Sequence, residues 1–378
     1  MGTPHIFTNW DVSTLSVEKM HTEEYPLFSA ASFVQTYPPL QFGPYEIRIG
    51  NSDHFGRPSL YLFVDLYPIG VKYSPPDHSD SYHAGSIQDE LAALISLLFG
   101  IKLAAGERTR TYHAGDYRGQ SLVNGVLPDP IMRFVESPIV PSSQRETFLC
   151  NVPLLSEFYR LGISKARKLV KAARLYQQAL SLSDENAEYS WLFLVSSIES
   201  LAQDWAGVTE DPETSLQEMD PMILNILCEH SAENAYSDLA RHLIEKRGVI
   251  RKFTGFLLQH LPPPPSLRPP AEHQLEWQPA VMKKTFTKIY QLRSEHLHQG
   301  KPIPAPMCLY RPGLFADGSL GEILPQDAYR MKMNTWQKKD LPMLLQTFEY
   351  IVRWSIIDWW CKELAIDPQP VRSVLTMA

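Results

Sequence analysis

The texture of the chain changes at Pro153. Beyond it apolar residues recur three and four apart: Trp191, Leu194, Val195, Ile198, Leu201, Ala202 and Trp205 in one run, and Leu344, Phe348, Ile351, Val352, Ile356, Trp359 and Trp360 in another. Such spacing lays a single stripe along an α-helix, which must bury that stripe against a neighbour. Before Pro153 the pattern differs. Tyr45 to Ile49 alternates, Asn51 to Pro58 is rich in turn formers, and Leu60 to Tyr67 is a short apolar run. Together these read as a β-hairpin. The expected fold class is α+β, with a β-rich N-terminal domain over residues 1–150 and an all-α bundle over residues 151–378.

Local signals fill in that outline. Residues 1–40 lack a clear period and read as an irregular arm or short strands. Ser86 and Asp89 have the spacing of a variant capping box, so the apolar run that follows is expected to be one buried helix ending near Gly100. Gly115 to Val140 reads as strands or loops. Helices are expected over 161–182, from Trp191 to a stop at Gly207, over 223–227 and 235–261, from about 279 to 298, and along the terminal apolar stripe. Pro262 to Pro265 and Pro269-Pro270 force an extended loop near 262–279.

At 378 residues the chain suits two domains, and 44% hydrophobic with 20% charged residues is ordinary globular composition. The net charge of −7 argues against coating nucleic acid by bulk electrostatics, yet residues 1–150 carry −6 of it and residues 151–378 only −1. Arg160, Lys165, Arg167, Lys168, Lys171 and Arg174 fall in a stretch without an acidic residue. The four cysteines are far apart and make no C-x-x-C pair, which suggests neither a zinc site nor a disulfide framework. The most apolar stretch, Leu91 to Phe99, is too short to span a bilayer, and the first residues lack a basic segment followed by an apolar run. A soluble, cytoplasmic protein without membrane contact is expected. There is no G-x-x-x-x-G-K-[ST] loop, no H-E-x-x-H, no G-x-S-x-G and no carboxylate cluster with metal-ligand spacing, so neither cofactor nor metal is expected.

One segment carries a candidate site. Met282, Phe286 and Ile289 form a helical stripe whose next position is Arg293. A guanidinium in a core-facing slot has to reach a partner, a cleft or a subunit boundary, and Glu199 on the neighbouring helix is one such partner. His296 shares the face of Arg293, while His298 lies about 140° round an ideal helix. Arg293 and His298 face one pocket only if the helix ends or bends between them, and Gly300 and Pro302 mark such an ending. Spacing alone singles out nothing, because Arg48/His54, Arg108/His113 and Arg268/His273 also fit Arg-x(4–6)-His. Placement at a helix end before a glycine does.

The run Tyr290-x-x-Arg293-Ser294-x-x-x-His298-x-Gly300 resembles the signature of the HEPN superfamily, helical nucleotide-binding domains whose motif is Arg, four to six residues, then His. The surroundings are most similar to the Apea-like branch: a helix rich in alanine and tyrosine (Ala173 to Leu182), a second carrying Ser-Ser-Ile-Glu-Ser-Leu (196–201), and a β-rich region in front. Ser294 departs from the polar amide or acid often found after the arginine. The resemblance implies a metal-independent endoribonuclease acting as a homodimer, with Arg293 and His298 of each chain meeting across a two-fold axis. It implies a defence or toxin effector whose N-terminal domain senses a trigger ligand or protein. His296 is the rival for the histidine role, and Ser294 and Glu295 are possible contributors. Histidine suits proton transfer to and from the ribose and leaving oxygens, and an arginine fork offsets phosphorane charge. Arg167, Lys171 and Arg174, with Lys283, Lys284 and Lys288, form a basic stripe for an RNA backbone. The alternative is a non-catalytic module for nucleotide or RNA binding and dimerisation. His78 and His83 read as a polar turn, and the aromatics of Leu60 to Tyr67 as core.

Overall fold

The computed structural model describes residues 5–16, 18–35, 39–50, 59–68, 85–122, 134–205, 248–326, 328–331 and 334–377, together with 222, 225 and 229. The turn expected at 51–58, the helix at 223–227 but for residue 225, residues 235–247 of the helix at 235–261, Gly207 and the pair His78/His83 lie outside those residues; the helix expected to run from Trp191 to Gly207 ends at Ala202. The fold is mixed, with a β-rich N-terminal region and helices after it.

Strands β1 (His21–Ser29), β3 (Leu40–Phe42), β4 (Tyr45–Ile49), β5 (Leu60–Leu66), β6 (Leu103–Ala105), β7 (Arg110–Tyr112) and β8 (Gln120–Ser121) build an antiparallel sheet in the order β3-β4-β5-β1-β7-β8, with β6 also on β1. β2 (Phe33–Gln35) and β9 (Thr147–Leu149) form a separate parallel pair. The hairpin read at 45–67 is present, with Ile47 opposite Leu62 and Tyr45 opposite Val64. Of the two readings of residues 1–40, the strands are present, at 21–29, 33–35 and from 40, and the irregular arm is not. Residues 5–15 form helix α1 (His5–Leu15), and 21–29 form the central strand, paired to β5 along its length and to β6 and β7 on its other edge. β1 buries seven consecutive residues, so it has no polar face and no alternation to read.

Helix α2 (Ile87–Phe99) follows as expected. The Ser86 backbone amide donates to Asp89 Oδ2 at 3.0 Å, and the helix closes on Gly100 in the left-handed region, φ 68°. It is buried along nearly its whole length because it lies between β6 on one side and helix α3 (Gly162–Leu182) on the other.

Beyond Pro153 come α3, α4 (Ala187–Ala202), α5 (helical over 248–259), α6 (Pro279–Gln299), α7 (Leu345–Glu363) and α8 (Pro368–Met377). The apolar stripes read from the sequence are buried: Trp191, Leu194, Val195, Ile198 and Leu201 on α4, and Phe348, Ile351, Val352, Ile356 and Trp360 on α7, a helix enclosed on nearly every side. Residues 151–378 are not wholly α-helical. A hairpin, β10 (Ala328–Met331) with β11 (Asn334–Gln337), interrupts the helices. Its one apolar face, Tyr329, Met331 and Trp336, is only half-buried, and at four residues a strand the alternation is too short to stand out.

Buried residues from both sides of position 150 belong to one hydrophobic cluster. Trp10 of α1 packs against Phe42 and Tyr45 of the sheet and also against Phe158 and Tyr159. Arg353 of α7 reaches across to the C-terminal end of α2, where its Nε donates to the Leu97 carbonyl at 3.0 Å and its Nη2 to that of Leu98. Those carbonyls have no partner within their own helix, and the guanidinium supplies one. Lys102 after α2 is ion-paired with Asp184 after α3, both nearly buried.

Candidate functional site

Helix α6 begins with Pro279 at its first turn and buries Met282, Phe286, Ile289 and Tyr290. Its stripe continues to Arg293, which faces α4. There the Arg293 Nη2 donates to Glu199 Oε2 at 2.8 Å, and the Tyr290 hydroxyl donates to Glu199 Oε1 at 2.8 Å. Both oxygens of one carboxylate are thereby occupied, and the Arg293 guanidinium carbon lies 5.6 Å from the centre of the Tyr290 ring. The two charged side chains are 19% and 18% exposed, so the pair is lodged at the edge of the core. Burial, then the Glu199 carboxylate beside it, raises the Tyr290 hydroxyl pKa well above the usual range. Arg293 Nε is buried without a hydrogen-bond partner. Arg293 lines a crevice with Trp191, Val195, Leu292 and Ile303; its volume of about 10 Å³ is room for a single water at most.

The helix does not end between the motif residues. It continues through Gln299 and closes on Gly300, φ 66°, whose amide donates to the His296 carbonyl at 3.1 Å. His296 therefore keeps its place one turn beyond Arg293. Its Nδ1 is 3.0 Å from the Lys301 carbonyl and 3.8 Å from Glu188 Oε2. His298 is exposed and makes no hydrogen bond or ion pair with a described residue. Within one chain Arg293, Glu199 and Tyr290 are brought together, with His296 on the same side, while His298 points elsewhere. Glu295 pairs with Lys301 at 3.3 Å, and Ser294 is half-buried.

The basic residues do not form a continuous stripe. Arg174 turns toward α2, with Nη1 2.7 Å from Gln177 Oε1 and 3.5 Å from Asp89 Oδ1, and Lys288 turns to Asp340 at 3.5 Å. Lys171, Lys283 and Lys284 are exposed and Arg167 is half-buried. Helix α4 packs against both α3 and α6, the helices that carry these residues.

Two further features escaped the sequence. A cleft of about 730 Å³ has His260, Phe256, Trp205, Trp359, Lys168 and Lys362 among its lining residues. His260 and Asp358 bond there across 98 positions, a separation that no local pattern signals. On the outer face of the large sheet, a second cleft of about 420 Å³ is lined by Arg48, Phe63, Asp65, Tyr112 and Tyr117. The Arg48 guanidinium lies 4.4 Å over the Phe63 ring, and Tyr117 is exposed. Among the described residues no three His, Cys, Asp or Glu side chains converge as a metal would require, and no helix is long and apolar enough to cross a membrane.

Compared with family models, with curated proteins and with solved structures, the chain matches none.

Proposed function

We propose that the chain is a metal-independent endoribonuclease of the HEPN type, cleaving RNA by attack of the ribose 2′-hydroxyl and working as a homodimer in the cytoplasm, as a defence or toxin effector. One observation carries this reading: Arg293, in the last two turns of α6, is fixed by Glu199, with His296 one turn further along and His298 exposed on another side of the helix. A carboxylate that grips one Nη leaves the other free to donate to a phosphate oxygen, and it sets the direction of the fork. A histidine beside it takes the 2′-hydroxyl proton or returns one to the leaving 5′-oxygen, a contribution of about 10²-fold or more. His298 lies on the outer side of α6, the side a second chain would need if the site is shared between protomers. His296 is the histidine for a site within one chain. The sheet cleft at Arg48, Phe63 and Tyr117 is the place for a trigger ligand on the N-terminal region.

A second reading, a non-catalytic module for binding and dimerisation, is favoured by the closure of Glu199 on Arg293, since an arginine neutralised at the edge of a core also serves as a structural tie. The two are separated by the ends of the RNA fragments. Wild-type protein incubated with structured RNA in EDTA is expected to leave 2′,3′-cyclic phosphate and 5′-hydroxyl ends. Arg293→Ala is expected to slow the reaction by about 10²-fold. Equal fragments from both proteins, or cleavage that returns only with added metal, would overturn the ribonuclease reading.

A further inference from the structure

The cleft beside α5 is built around a buried histidine. His260 is 4% exposed and follows the last turn of α5, where Pro262 to Pro265 forbid another. Its Nδ1 lies 2.9 Å from Asp358 Oδ2, and its ring packs on Phe256 with centroids 4.6 Å apart. Asp358 also receives Lys362 Nζ at 2.9 Å and has Arg372 at 3.6 Å. Burial would raise the Asp358 carboxyl, but hydrogen bonds from His260 and Lys362 outweigh it and hold the group below the usual carboxylate range. An aspartate kept ionised holds the proton on Nδ1 and fixes the tautomer. Nε2, for which no described residue supplies a partner, is then presented to the cleft. An imidazole nitrogen of a residue that lines a cleft can exchange water for a ligand oxygen.

The rest of the lining states what that partner is. Trp205 and Trp359 offer flat apolar surface. The Trp205 ring rests on Gly255, where a Cβ would come within 2.2 Å of it, and its Nε1 donates to Gln259 Oε1 at 2.7 Å, so the indole is held from two sides. Lys165, Lys168 and Lys362 stand around it, ion-paired with Glu363, Asp204 and Asp358 respectively, and Asp204 and Glu363 belong to the same lining. Burial holds the Lys168 ammonium below its usual range, with Glu363 pulling the other way. The carboxylate paired with Lys168 is Asp204, whose side chain is 75% exposed and screened by water. Each ammonium has three donors and retains some for a ligand.

We propose that this cleft binds a small organic anion with a flat aromatic body, its ring against Trp205 and Trp359 and its carboxylate or phosphate oxygens between His260 Nε2 and Lys168. The volume of about 730 Å³ lies within the usual range for small-molecule sites. Aromatic walls favour a planar partner, and charge-assisted donors favour an anionic one. The site shares no residue with the Arg293 cluster and stands whether or not the chain cleaves RNA.

The test is a titration of the full chain with benzoate, phenyl phosphate, neutral benzamide and inorganic phosphate, read by tryptophan fluorescence and calorimetry. Benzoate or phenyl phosphate is expected to bind, and the tighter of the two identifies the anionic group. Benzamide and inorganic phosphate are expected to bind about tenfold more weakly or less, as are the aromatic anions to His260→Gln and to Lys168→Ala. Lys168→Ala, near the surface, decides the matter should His260→Gln fail to fold. Failure of both anions to bind, benzamide binding as tightly as benzoate, or unchanged affinity in Lys168→Ala and a folded His260→Gln would overturn the proposal.

Discussion

Arg293 shows how far a single position can be read. Its slot on the stripe of Met282, Phe286 and Ile289 requires a partner, and the partner is the one the helix pattern offers, Glu199. The reason is physical: an unpaired guanidinium at the edge of a core is too unfavourable to persist, so the stripe and a nearby acid constrain each other. The histidines were legible in the same way, because 3.6 residues per turn puts His296 over Arg293 and carries His298 round the helix. What remained open was where the helix stops, and it stops one residue after His298. His260 and Asp358 were not legible at all, since neither position breaks its helical pattern in a way that names the other. At this scale we expect Glu199→Ala to lower stability by about 2 kcal/mol, because it strands the Arg293 guanidinium and the Tyr290 hydroxyl together. Urea denaturation measures it. Arg293→Met combined with Glu199→Leu is expected to recover much of the loss, since no charge is then left unpaired.

At the scale of elements, signals with a local mechanism were readable and those set by tertiary burial were not. The Ser86/Asp89 spacing and Gly100 bracket α2 as they do in sequence. Strand β1 has no alternation because both its faces are covered, and the hairpin at β10 and β11 gives only a weak one because its inner face, Tyr329, Met331 and Trp336, is only half-buried. Gly100 has φ 68°, and a Cβ there would sit 3.0 Å from the Arg353 guanidinium that caps the helix. Gly100→Ala is therefore expected to destabilise the protein by about 1–2 kcal/mol or more, from left-handed strain and a displaced cap. Thermal unfolding checks it. Helix α7 carries a proton-linked term in Asp358, whose folded pKa is depressed below the ordinary 3.8. Its contribution is complete above that value and is lost as the pH falls through the lower folded value. Glu349, raised by burial despite Arg353 and Tyr176, has the opposite sign, and its unfavourable contribution is relieved as the pH falls. Denaturant midpoints followed from pH 6 to 3 should decline less steeply in Asp358→Asn than in wild type. An equal or steeper decline would remove the ionised Asp358 from its place beside His260.

For the whole molecule, the change of texture at Pro153 separates two kinds of secondary structure without separating two cores. Helix α2, Arg353, Lys102 and the aromatic group around Trp10 join what composition divides. We expect far-ultraviolet and near-ultraviolet circular dichroism to report one coincident unfolding transition. Two separated transitions would mean that the N-terminal region unfolds independently of the helices. As proposed, a trigger binds on the sheet and RNA on the last turns of α6, where Arg293 and the two histidines carry the chemistry. The most direct test is the rate of RNA cleavage in EDTA by wild type, Arg293→Ala, His296→Ala and His298→Ala, compared side by side on folded protein. The expected result is cleavage by wild type, a loss of about 10²-fold in Arg293→Ala, and a comparable loss in one of the histidine variants. Loss in His298→Ala places the site across a dimer and loss in His296→Ala within one chain, whereas four equal rates, or no cleavage by any of the four, would contradict the central claim.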